Sequence, residues 1–88
     1  IEAMIEAAIS IGISQKDARV LAEKTLIGSA YLLEHTNEEA HKLRKDVTSP
    51  KGTTEAGLNV LMENNNFFNI VDRAIKEAKK RGKDLGKI

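Results

Sequence analysis

Residues 15–35 limit the possible folds of this chain more than any other stretch. They read as one long helix with two apolar stripes. Ala18, Leu21, Ala22, Thr25, Leu26, Ser29, Leu32 and Leu33 form the first, and Val20, Ile27 and Tyr31 lie on nearly the opposite side. Asp17, Arg19, Glu23, Lys24 and Glu34 fill the gaps. A helix on a protein surface needs one apolar stripe, so two stripes require cover on two sides. The chain has only 88 residues. A chain of that size buries only about 60% of its unfolded surface and has few elements to spare. The expected cover is a helical partner, most simply a second copy of the same chain. Ala22, Gly28, Ser29 and Ala30 would let another helix approach closely.

The flanking segments follow the same period. Ile1, Met4, Ile5, Ala8 and Ile9 share one side of a helix over residues 1–11, which Gly12 ends. Ser14 is the expected N-cap of the long helix, with Asp17 in its first turn. Asn37 is expected to cap a short helix from Glu38 to about Arg44. A further helix is expected from Thr53, as its N-cap, to about Glu63. Its apolar residues point all round the axis, so it should be buried on several sides. Asn64, Asn65 and Asn66 mark a break. The last helix, about 67–82, carries Phe68, Val71, Ala74, Ile75 and Ala78 in one stripe, with Leu85 in phase beyond Gly82. No strand pattern competes, so the expected fold class is all-α, with residues 1–88 in one domain.

Composition excludes several functions. There is no cysteine, hence no disulfide or thiolate metal site. His35 and His41 lack ligand spacing and read as surface residues. The 14 basic and 13 acidic residues leave a net charge of +1, which implies no general polyanion binding. The run Lys79-Lys80-Arg81-Gly82-Lys83 reads as a solvated helix end, and no aromatic platform exists for nucleic acid. No apolar run approaches the roughly 20 residues that span a bilayer, and no signal peptide is visible. A cytoplasmic protein without membrane or nucleic-acid partners is expected. The chain starts at Ile1, already inside a helical pattern, which suggests a part of something longer.

One stretch is not helical. Thr48, Ser49 and Thr53 surround Pro50, Lys51 and Gly52, and Thr54 leads into a helix. A loop that feeds a helix N-terminus leaves backbone N–H groups unpaired, and the helix dipole adds positive charge there. Such a place suits an anion, and it equally suits a capped turn. No nucleophile–base pair and no Gly-x-Gly-x-x-Gly accompanies it.

The run Val47-Thr-Ser-Pro-Lys-Gly-Thr-Thr-Glu-Ala-Gly-Leu-Asn-Val-Leu61 resembles the signature of pyrroline-5-carboxylate reductase. That signature has valine, a small hydroxyl residue, Ser-Pro-Gly-Gly, a small residue and Thr. Two residues, a small residue, Leu and a hydrophobic pair follow. Residues 12–33 resemble the family's long second helix. Ala74-Ile-Lys-Glu-Ala78, Arg81 and Asp84-Leu85 resemble its closing helix. The resemblance covers essentially the whole chain, but only the C-terminal domain of the family. It implies an all-α helical bundle of the 6-phosphogluconate dehydrogenase C-terminal-like type, interlocked with its twin as a homodimer able to assemble further. The Rossmann domain that holds NAD(P)H would lie outside these residues, so this fragment alone would bind no cofactor and be inactive.

The resemblance also implies roles. The family reduces 1-pyrroline-5-carboxylate to L-proline, the last step of proline biosynthesis. Ser49 and the N–H groups of Gly52, Thr53 and Thr54 would hold the substrate carboxylate, and Val47 would line the pocket. Thr54 is the candidate catalytic residue, its hydroxyl near the ring nitrogen. Lys51 departs from the pattern, standing where the family has the first of two glycines. If φ is positive there, lysine is strained; if not, its side chain is solvated or adds charge near the carboxylate. A non-enzymatic helical interaction module that keeps the fold is the alternative reading, and a small nucleic-acid binder is a third.

Overall fold

The computed structural model describes residues 1–87, and all regular structure among them is helical. The elements are α1 (Glu2–Ser10), α2 (Gln15–Thr36), α3 (Ala40–Asp46), α4 (Thr53–Met62), a short 3-10 turn (Glu63–Asn65) and α5 (Asn66–Leu85). They fall into two compact units, residues 1–44 and a second that starts at Lys45.

The first unit is built on α1 and α2. Gly12 ends α1 with φ at 102°, in the region that favours glycine. The Ile13 N–H reaches the Ala8 carbonyl at 3.2 Å, and the Gly12 N–H reaches Ile9 at 3.0 Å. This paired arrangement is a Schellman motif, and it satisfies carbonyls that the helix end would orphan. The chain reverses at once into α2, where the Asp17 N–H donates to the Ser14 hydroxyl at 3.2 Å, the N-cap expected from sequence. The reversal lays α1 on the first turns of α2. Ala18 is 0% and Ala22 4% exposed, and among the described residues these two alanines are the buried ones. Met4, Ala8, Ala18, Leu21, Ala22 and Thr25 line the shallow depression between the helices.

Small residues at this crossing set the distance between α1 and α2. Ala18→Leu is therefore expected to destabilise the chain by about 1–3 kcal/mol, because the added carbons have no space. A lowered midpoint in chemical denaturation checks this, and an unchanged midpoint would show that the crossing yields freely.

The rest of α2 has no cover within its unit. Ile27 is 62% and Tyr31 59% exposed, and Leu26, Leu32 and Leu33 are exposed as well. Both apolar stripes thus remain open beyond Thr25. Asn37 is the left-handed C-cap of α2 (φ 55°, ψ 23°) and not the N-cap of the next helix, and α3 starts at Ala40. Asparagine suits both positions, because its short side chain tolerates left-handed backbone.

In the second unit α4 and α5 meet across the Glu63–Asn65 turn. Asn64 and Asn65 both take positive φ, 51° and 55°, which breaks the helical path where the asparagine run lies. Helix α5 then runs through Gly82 to Leu85, past its expected end. Helix α4 was expected to be buried on several sides. Within this unit only Leu58 and Glu55 of α4 are half-buried, and Val60, Leu61 and Met62 are exposed. Phe68, Val71 and Ile75, on the stripe of α5, are exposed too. The faces that the sequence marks as apolar are present, and most lack a neighbour in the unit that carries them.

Candidate functional site: the loop that opens helix α4

The loop between α3 and α4 is a tight turn set against a helix start. The Gly52 N–H donates to the Ser49 carbonyl at 3.0 Å, closing a four-residue turn over Ser49, Pro50, Lys51 and Gly52. The proline ring fixes φ near −65° at the second position. Lys51, at the third, has φ of 63°. Negative then positive φ defines a type II turn, whose third position is the usual place of glycine. The family's glycine at this position is thus explained by the backbone, and lysine there costs about 1–2 kcal/mol relative to right-handed backbone. The Glu55 Oε1 accepts the Lys51 N–H at 3.2 Å, which offsets part of this cost.

Gly52 is the N-cap of α4, in extended backbone (φ −86°, ψ 178°), and its carbonyl accepts the Ala56 N–H at 3.2 Å. Thr53, expected as the cap, is the first residue inside the helix. A hydroxyl N-cap was the stronger sequence signal, but the turn uses the glycine because it is short of space. A Cβ at Gly52 would stand 3.2 Å from the Ser49 carbonyl oxygen.

The expected site residues are therefore placed as follows. Val47 is 62% exposed, just after α3. Ser49 opens the turn and is exposed; Gly52 is half-buried. Thr53 and Thr54 are the first and second residues of α4, both exposed. The Gly52 N–H, one of the three donors expected from sequence, is engaged with the Ser49 carbonyl in this turn. The Thr53 and Thr54 N–H groups belong to the first turn of α4, which has no carbonyl to offer them. Glu55 is the residue that sequence reasoning passed over. Its signal was available: an acidic residue at the third helical position is the one that commonly reaches back to the cap.

The two histidines lie away from this loop in sequence. Both are exposed. The His35 ring stacks on Tyr31 with centroids 3.8 Å apart, and its Nδ1–H donates to the Tyr31 carbonyl at 3.0 Å. His41 Nδ1 lies 3.2 Å from the Glu39 carboxylate. No helix among the described residues is long and apolar enough to cross a membrane.

An all-α chain that exposes apolar helix faces and presents a Ser-Pro turn at a helix start has the character of a dimerisation domain. The family model described as pyrroline-5-carboxylate reductase dimerisation matches residues 1–85. The chain belongs to that family. It is 38% identical over 85 residues to pyrroline-5-carboxylate reductase 2 of Bacillus subtilis, covering 97% of this chain and 30% of that protein. It is 37% identical over 87 residues to the Synechocystis enzyme, covering 99% and 32%. Among solved structures it is similar to Plasmodium falciparum pyrroline carboxylate reductase with NADP bound, with a TM-score of 0.90 and 29% identity over 97% of this chain and 32% of the other. The chain thus spans about a third of the length of these relatives. The resemblance in Val47–Leu61 and the all-α fold expected from periodicity are both borne out.

Proposed function

We propose that these residues dimerise and hold the substrate carboxylate in an enzyme that reduces 1-pyrroline-5-carboxylate to L-proline with NAD(P)H. The observation that carries this reading is the Ser49–Gly52 turn, which delivers the Thr53 and Thr54 N–H groups to the positive end of α4. A carboxylate placed there receives charge-assisted hydrogen bonds from both, with the Ser49 hydroxyl as a further donor. The Thr54 hydroxyl, one turn-residue inside the helix, then stands beside the ring nitrogen, where it donates to the imine or passes it a proton. Val47 supplies an apolar wall. NAD(P)H supplies the hydride and is held by residues outside this chain. The similar Plasmodium structure, with NADP bound, supports a nicotinamide cofactor. The contribution of this chain is to position the substrate and stabilise charge.

The open geometry also supports a homodimer. Val47, Ser49, Thr53 and Thr54 are exposed, and a site needs walls to exclude water. A second copy and the cofactor-binding part would provide them. The full-length protein should oxidise NAD(P)H only when 1-pyrroline-5-carboxylate is present and yield L-proline, while residues 1–88 alone should show no turnover. A full-length protein that dimerises but forms no proline would favour the interaction-module reading.

A further inference from the structure

A turn with proline at its second position has two accessible forms, related by a flip of the peptide between its second and third residues. In the type I form the third residue has negative φ and tolerates any side chain. In the type II form it has positive φ and favours glycine. Lys51 occupies the second form at φ 63°, against its own preference. The Gly52 N–H to Ser49 carbonyl bond is common to both forms, so it does not choose between them. The contact that does choose is the Lys51 N–H, which meets Glu55 Oε1 at 3.2 Å. A flip of the Pro50–Lys51 peptide would turn that N–H away and bring the Pro50 carbonyl to the side that faces the first turn of α4. A carbonyl there would put partial negative charge where the substrate carboxylate is to bind. Glu55 would also lose its donor and be free to occupy the Thr53 and Thr54 N–H groups itself.

We propose that Glu55 is a positioning residue for substrate binding: its carboxylate holds the Ser49–Gly52 turn in the type II form against the preference of Lys51. The link to substrate rests on the carboxylate-loop reading above; the link to turn form does not. In a chain with glycine at position 51 the same turn would need no such hold, so the effects of positions 51 and 55 are coupled.

The test uses the isotope-labelled full chain and the Pro50 Hα to Lys51 amide NOE, which is strong in type II and weak in type I. The wild-type chain gives a strong signal. Glu55→Ala weakens it by at least roughly threefold as the turn population shifts. Glu55→Gln, which keeps an acceptor oxygen, restores most of it. Adding Lys51→Gly to Glu55→Ala restores the equivalent signal, because glycine takes positive φ freely. An undiminished NOE in Glu55→Ala overturns the proposal. Should Glu55→Ala not fold, Glu55→Gln with and without Lys51→Gly makes the same comparison at smaller amplitude, and equal signals in the two overturn it. In the full-length enzyme Glu55→Ala raises KM for 1-pyrroline-5-carboxylate by several-fold more than it lowers kcat, and Lys51→Gly recovers it. If the NOE responds and KM does not, Glu55 still holds the turn and the carboxylate-loop reading fails.

Discussion

Under the proposed reaction, Thr54→Ala in the full-length protein should lower kcat by roughly 10²-fold while leaving the helices folded. The structural half of this expectation follows from the place of Thr54. It is the second residue of α4 and exposed, and the N-cap is Gly52, so the hydroxyl caps nothing. Its loss opens no cavity, and a substitution of that kind stays within about 0.5 kcal/mol of wild-type stability. The kinetic half follows from the proposed reaction. As hydride reaches the imine carbon, the ring nitrogen gains electron density and needs a proton or a hydrogen-bond donor. A hydroxyl held on the first turn of a helix supplies one at a fixed position. An interaction that strengthens only as that charge develops appears in kcat more than in KM. Thr54→Ser keeps the donor and should recover most of the rate. Steady-state kinetics with thermal unfolding of the same samples decide the matter. Wild-type kcat in Thr54→Ala would remove Thr54 from the chemistry.

The parts of this fold that depend on local chemistry were legible in the sequence. Gly12 and Ser14 each do one thing well, so the α1–α2 reversal could be read from them. Residues that suit two positions misled. Asn37 serves equally as a helix start or a left-handed stop, and only the next residues' path, through Glu38 and Glu39 to a start at Ala40, decides. Thr53 is a better cap than Gly52 by propensity, but the turn before it crowds a Cβ at the cap, 3.2 Å from the Ser49 carbonyl oxygen. The left-handed backbone of Lys51 could be anticipated only as a conditional, because lysine itself argues against it. Pro50 in front allows it, and the Glu55 carboxylate four residues on accepts the Lys51 N–H that this backbone presents. The two stripes of α2 were legible, but their burial is not met within the first unit, where Leu26, Ile27, Tyr31, Leu32 and Leu33 stay exposed.

That uncovered half predicts the second large effect. Ile27→Glu should convert a dimer at micromolar concentration into a monomer, with dissociation favoured at least about 10³-fold. Helix α2 has 22 residues and α1 has 9. At 1.5 Å per residue these are about 33 Å and about 14 Å long, so α1 covers less than half of α2. Leu26, Ile27, Tyr31, Leu32 and Leu33 lie beyond its reach and are exposed. Large apolar side chains left open on both stripes of one helix mark a surface that a partner covers. Each such side chain gains about 1.5–3 kcal/mol when fully buried. In a two-fold dimer every interface residue appears twice, so one substitution introduces two charges. Burying an unpaired carboxylate costs more than the lost apolar contact. Light scattering and sedimentation at several concentrations read the outcome, with Lys80→Glu on the charged face of α5 as a control that should remain dimeric. A wild-type chain that is monomeric at micromolar concentration would overturn the homodimer. A dimeric Ile27→Glu would move the interface off the Val20–Ile27–Tyr31 stripe and onto the opposite one, leaving Leu32 and Leu33 to carry it.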